Sequence, residues 1–256
     1  FHSIYTLAEY SQEQLLEYVK RFAKHYKKSP QQLLERVQKF EQGMCQNQLI
    51  LCLFCLMGPD VGSEADSRTK LYSKIYDTTW KDAEQRMAAT KEEIEDLYLK
   101  PLCQLSFESY HSSRSRRSYL TPDDFKRVNC DASKVCQVGY VTEERLVQGI
   151  DVETRYTFTH HTYQEFLAAK HLEHLDKTER IAHLKEMLKP PYDPTVLSFV
   201  AGLLQKDKVA LIELMSLALE VPGNEKWQIV LPLIAAVSSV PAEMEKVLLA
   251  ECPRLC

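Results

Sequence analysis

Apolar residues recur three and four apart along most of the chain, the spacing of helices with one buried face. Leu15, Tyr18, Val19 and Phe22 follow a Ser11-x-x-Gln14 capping box and predict a helix to about His25. Ser29-Pro30 predicts a second start, because proline suits a first turn whose N–H groups have no partner. Leu33, Leu34, Val37 and Phe40 carry its apolar face, with Gly43 as the stop. Residues 47–57 are apolar on all sides, as in a helix at the centre of a bundle, and Gly58-Pro59 ends them. Residues 60–66 read as a loop. Leu71, Tyr72, Ile75 and Tyr76 make residues 67–80 amphipathic. A second capping box, Thr90-x-x-Glu93, opens a helix carrying Ile94, Leu97, Tyr98, Leu102 and Leu105, which Pro101 should kink or restart.

Strand character is sparse. Ile4-Tyr5-Thr6-Leu7 is a β-prone run, expected as a trailing strand. Thr121-Pro122 begins a short helix, and residues 135–140 follow with Gly139 as a break. Residues 146–150 and 156–158 are expected to pair as a hairpin. Helices are predicted over 176–189, 195–204, 208–219, 225–237 and 241–251, with a rigid turn at Pro190-Pro191-Tyr192-Asp193-Pro194. The last of these helices show no regular leucine-rich repeat.

The period changes within one stretch. Tyr156-Thr157-Phe158 is bulky and β-branched, whereas Tyr163, Phe166, Leu167 and Lys170 line a helical face. His160 and His161 sit between, where unpaired N–H groups and the positive dipole end favour an anion such as phosphate. The same spacing suits histidines that cap the helix or face solvent, and taken alone it favours that reading.

The run Phe158-x-His160-x-x-x-Gln164-Glu165-Phe166-x-Ala168-Ala169 resembles the phenylalanine–histidine–glutamine–glutamate–phenylalanine signature of NACHT-type nucleotide-binding, leucine-rich-repeat receptors, innate-immunity members of the signal-transduction (STAND) ATPases. The resemblance implies that the signature closes a winged helix and that His160 reaches the β-phosphate of ADP. Further matches extend over most of residues 1–205. Asn47-Gln48-Leu49-Ile50-Leu51 is similar to the buried helix of the family's first helical domain, with Gln48 where the family has an adenine-contacting proline. Thr69-Lys70-Leu71-Tyr72 resembles a helix start of that domain. Leu102-Cys103-Gln104-Leu105 resembles a winged-helix segment, and residues 197–204 resemble part of the second helical domain.

These matches imply a mainly α chain. A helical bundle is followed by a winged-helix domain with a small β-hairpin, then by a second helical domain. The expected division is residues 1–10 as the trailing edge of the ATPase core, 11–89 as helical domain 1, 90–174 as the winged helix and 175–256 as helical domain 2. The implied ligand is ADP or ATP in an intact parent. The implied partners are an upstream nucleotide-binding domain and a downstream repeat sensor in the same chain, with homo-oligomerisation on activation.

Composition narrows the chemistry. The formal charge of −4 gives no reason to expect nucleic acid or a membrane as partner. No apolar run is long enough to span a bilayer, and no signal peptide is read. The eight cysteines lie mostly in helical runs and read as reduced cytoplasmic thiols. The chain opens on Phe1 and is expected to be a piece of a longer protein. No Gly-x-x-x-x-Gly-Lys-Ser/Thr loop is present, nor an apolar strand ending in paired acids, so no enzyme activity is expected of this piece. Cys52-x-x-Cys55 has zinc spacing but reads as core thiols. His160, His161, His171 and His174 do not have the spacing of a common metal site. Arg114, Arg116 and Arg117 could meet DNA phosphates or make Ser118 a kinase substrate. A helical scaffold with a decayed nucleotide site, or a DNA-binding winged helix, are the alternative readings.

Overall fold

The computed structural model describes residues 10–39, 48–56, 67–111, 117–148 and 151–251. The expected strand at residues 4–7, the stop at Gly43, the break at Gly58-Pro59, the loop at 60–66 and the side chains of Arg114 and Arg116 lie outside these. The chain is mainly helical with one small antiparallel sheet, and it divides into two compact units, Phe1–Ile75 and Tyr76–Cys256.

In the first unit, α1 (Gln12–His25) opens on the capping box foreseen at Ser11. Gln14 N–H donates to Ser11 Oγ at 3.2 Å, and Ser11 N–H donates to Gln14 Oε1 at 2.9 Å. α2 (Pro30–Lys39) and α3 (Gln48–Leu56) complete a core of Leu15, Val19, Phe22, Leu33, Val37, Ile50, Leu51, Phe54 and Leu71. Ile50, Leu51, Phe54 and Cys55 are buried, but Cys52 and Leu53 are only half-buried, so α3 is buried along one face and not on all sides as its apolar run indicated. α4 (Arg68–Met87) begins here and runs further than the apolar pattern indicated.

In the second unit, Thr90 caps α5 (Lys91–Ile94) through its own box, and a π-helical turn (Glu95–Leu99) leads into α6 (Lys100–His111). The wide turn is the restart expected at Pro101, which has no N–H to give the Leu97 carbonyl. The thiol of Cys130 donates to that carbonyl instead, at 3.2 Å.

The sheet follows. β1 (Tyr119–Leu120) precedes α7 (Pro122–Arg127) and α8 (Ala132–Val138), and Gly139 ends α8 at φ 105°, a left-handed backbone that glycine adopts without strain. β2 (Val141–Gln148) and β3 (Asp151–Phe158) pair in register from Val141↔Phe158 to Val147↔Val152, and β1 lies on the other edge of β3 through Tyr119↔Thr157. The two runs expected to pair do not meet: 156–158 lie opposite 141–143 and 146–148 opposite 151–153, because both strands extend past their apolar runs, β2 to Gln148 and β3 back to Asp151. Val141, Tyr156 and Phe158 are buried at the base of the hairpin, while Val147 and Val152 are exposed at its far end.

α9 (His161–His174) is the hub of this unit. It packs on α6 and on α11 (Pro194–Leu204), and α11 packs on α13 (Lys226–Ala236). Phe166 meets Phe199 edge-on at 5.4 Å between ring centres and Tyr76 at 6.2 Å. α10 (Lys177–Met187), α12 (Lys208–Leu219) and α14 (Ala242–Glu251) close the outer layers, near the bounds the sequence suggested. Among the described residues no helix is long and apolar enough to cross a membrane.

Candidate functional site

The strand-to-helix corner at His160 is built by its neighbours. Phe158 is buried at the end of β3. Thr159 then ties the corner down: its N–H and its hydroxyl both donate to the Tyr140 carbonyl, at 2.9 and 3.2 Å. Tyr140 is in turn fixed by its hydroxyl against Thr79 Oγ1 at 3.1 Å and by its ring on Tyr163 at 5.2 Å. Two elements distant in sequence thus hold the residue before His160 in place.

His160 is the N-cap of α9, with extended backbone at φ −156° and ψ 145°. Its Nδ1 accepts the Thr162 N–H at 3.2 Å and lies 2.8 Å from Thr162 Oγ1. The capping role is therefore real, and it has a chemical consequence. A neutral imidazole carries one proton, and a nitrogen that accepts a backbone N–H does not hold it. In the neutral ring that caps α9 through Nδ1, the proton is then on Nε2, which makes that nitrogen a donor. Capping and anion binding, which the spacing left as alternatives, use different nitrogens of one ring.

The start of α9 has the positive end of the helix dipole, and Glu165 follows just beyond the first turn. The first turn of α9 carries no acidic residue. His160 is half-buried and His161 exposed, their rings tilted together at 4.3 Å. Thr162, Gln164 and Glu165 are buried behind them. Gln164 anchors this end of α9. Its Nε2 donates to Ser109 Oγ at 3.0 Å and to the Arg117 carbonyl at 2.7 Å, joining α6 and the entry to β1.

Gln48 is the first residue of α3, in the first unit, and is half-buried. His160 caps α9 in the second unit. Each candidate thus stands at the start of its own helix.

The remaining candidates divide clearly. Cys52 and Cys55, on α3, are in no disulfide, and Cys55 is buried in the apolar core. His171 is about three helical turns from His160 along α9, roughly 16 Å at 1.5 Å per residue. It touches the Phe107 ring at 5.2 Å, and His183 touches the same ring at 4.9 Å. Burial, and secondarily the proximity of His183, push His171 down to about 4, so it is neutral at physiological pH. Among the described residues no group of three or more His, Cys, Asp or Glu could hold a metal ion.

Arg117 is committed within the fold. Its guanidinium donates to both carboxylate oxygens of Asp124 at 3.2 Å. Burial works against the Asp124 charge, but the Thr121 N–H, the Arg117 guanidinium and the Thr121 hydroxyl outweigh it and hold the carboxyl below its usual range. Sequence reasoning missed this pair, the Tyr140 brace and the Cys130 bond. The Thr121-Pro122-x-Asp124 capping box was the only local signal for any of them.

No protein-family model matches the chain, and a search of curated proteins returns no match.

Proposed function

We propose that this chain is the regulatory arm of a NACHT-type signalling ATPase of innate immunity, coupling the ADP or ATP state to a closed or open conformation and to oligomerisation. The observation that carries the reading is the His160 cap. Nδ1 is occupied by the Thr162 N–H, so the tautomer that caps α9 also presents an Nε2–H donor. Such a donor suits the β-phosphate of ADP held by an upstream nucleotide-binding domain. The helix start adds its own positive end.

Two further observations support the reading. The order α6, α7, α8, β2, β3, three helices and then two strands, supports a winged helix, and the unforeseen short β1 adds a third strand beside β3. The Gln164 side chain of the signature is buried and ties α9 to α6 and to the segment before β1. In this reading α1 to α4 form the first helical domain, and α10 to α14 the second. Gln48 takes the place of the family's adenine-contacting proline. Nucleotide and phosphate loop belong to the intact parent, as do the downstream repeat sensor, the oligomer and the cytoplasmic location.

Nucleotide can bias two conformations only by binding them unequally. A hydrogen bond to a charged phosphate contributes about 1.5–3 kcal/mol, a bias of roughly 10- to 150-fold. Loss of that contact on exchange to ATP would release the arm. The test is spontaneous oligomerisation of the full-length protein carrying His160→Ala. The reading expects a larger oligomer fraction at rest; an unchanged resting state would count against it.

The DNA-binding alternative is disfavoured by charge. Arg117 is engaged by Asp124, and the hairpin carries Glu143, Glu144, Asp151 and Glu153 against Arg145 and Arg155. The scaffold alternative rests on Gln48 alone. A longer chain that carries nucleotide through purification would exclude it.

A further inference from the structure

We propose that Ser118 is a phosphoacceptor for a basophilic serine/threonine protein kinase, and that its phosphate draws Arg117 away from Asp124. Ser118 is exposed, at a bend directly before β1. In sequence, arginines stand one, two and four positions before it, the charge pattern that an acidic kinase cleft selects.

The backbone beside it is held from two sides. Arg117 N–H donates to the Ser109 carbonyl at 3.1 Å, and the Arg117 carbonyl accepts from Gln164. A phosphate on Ser118 therefore appears next to a fixed arginine. In the reaction Ser118 Oγ attacks the γ-phosphorus of ATP on the kinase. The Oγ–P bond forms as the bond to the β–γ bridging oxygen breaks. ADP leaves with that electron pair, and the hydroxyl proton passes to the base of the kinase.

The Arg117 fork is poised for exchange. Both bonds to Asp124 are 3.2 Å, long beside the roughly 2.7–2.9 Å of tight charge-assisted pairs. The Arg117 side chain retains 31% of its accessible surface. Asp124 has other support: the Thr121 N–H and hydroxyl, each at 2.8 Å, and Arg127 at 3.6 Å. Losing Arg117 therefore leaves no orphaned carboxylate. A phosphate of nearly two charges competes well with a carboxylate of one that is already shared. The consequence is a looser α7, because Asp124 is buried in its first turn and Arg117 is one of the groups fixing it.

The experiment treats the purified chain and a Ser118→Ala variant with a basophilic protein kinase and ATP. Phosphate is mapped by peptide mass spectrometry, and amide hydrogen exchange is followed across residues 119–127. The expected result is phosphate on Ser118, total incorporation at least about tenfold lower in the variant, and several-fold faster exchange in α7 of the phosphorylated chain. Phosphate confined to Ser112, Ser113 or Ser115, or no incorporation, would overturn the assignment of the site. Full phosphorylation of Ser118 with unchanged exchange would overturn the arginine transfer. Ser118 is exposed, so the variant should melt as the parent does, and a large loss of stability would remove the premise that this residue is a free acceptor.

Discussion

The buried amide of Gln164 donates to the carbonyl of Arg117 across 2.7 Å, and so fixes the start of α9 to the segment that enters the sheet. The same Nε2 serves Ser109 Oγ at 3.0 Å. Removing it leaves the buried Ser109 hydroxyl and the half-buried Arg117 carbonyl without that donor. Gln164→Leu should therefore cost about 1–3 kcal/mol, the usual consequence of orphaning buried groups. Equilibrium urea unfolding measures this. A loss below about 0.5 kcal/mol would show that water reaches both partners.

Packing makes a larger prediction one residue pair on. Phe166 is 1% exposed and lies between Phe199 and Tyr76, so it joins α9 to α11 and to α4. Phe166→Ala should cost about 3–5 kcal/mol, lost transfer energy plus a cavity. Phe166→Leu should cost clearly less. Equal losses for the two would mean that the site collapses freely around a smaller side chain.

Much of this was legible before the fold. Capping boxes at Ser11 and Thr90 are local: residues three apart satisfy one another, and both appear where the sequence places them, whereas Thr121, legible only as a helix start, carries a box of its own with Asp124. The apolar run behind Gln48 reads as a helix and is one, buried on one face, and the aromatic alternation at Tyr156 to Phe158 reads as extended and lies in β3. What escaped is set by pairing. Residues 142–145, Thr-Glu-Glu-Arg, offer no apolar alternation, and they are a strand because β3 lies beside them. The anchoring role of Gln164 is not legible from its neighbours, since its partners are 47 and 55 residues away. The histidine cap was foreseen as one of two alternatives. That both could hold at once follows from which ring nitrogen takes the backbone proton, and sequence spacing does not carry that.

Cys130 gives a prediction of sign and order. Burial, and then the neighbouring Asp131 charge, push its thiol up to about 11, so at neutral pH it remains S–H and can donate to Leu97. Cys130→Ala should lower stability by about 0.5–1.5 kcal/mol, and Cys130→Ser, which keeps a donor, should cost less. Thermal unfolding at pH 7 ranks the three. A serine variant weaker than the alanine variant would contradict the bond.

His171 predicts a pH dependence. Its folded value is depressed from 6.5 to about 4, so between these values the unfolded chain binds the extra proton. Stability is then fully present above about pH 6.5 and declines as pH falls toward 4. The groups around it are His183, Glu108 and His174, and of these Glu108 opposes the shift. With partial exposure screening the effect, the loss attributable to His171 is on the order of 1–3 kcal/mol. His171→Leu should flatten the slope between pH 7 and 4.5 in urea titrations. Parallel slopes for the two proteins would assign the acid sensitivity elsewhere.

The nucleotide latch is tested most directly by the ADP affinity of the full-length protein carrying His160→Asn. Asparagine is a good N-cap and keeps an acceptor for the Thr162 N–H, so α9 should start as before. What it lacks is the imidazole Nε2–H. ADP should bind roughly 10- to 150-fold more weakly, the equivalent of one hydrogen bond to a charged phosphate, with the unfolding midpoint of the nucleotide-free protein unchanged. Equal ADP affinity in the two proteins would contradict the role given to His160.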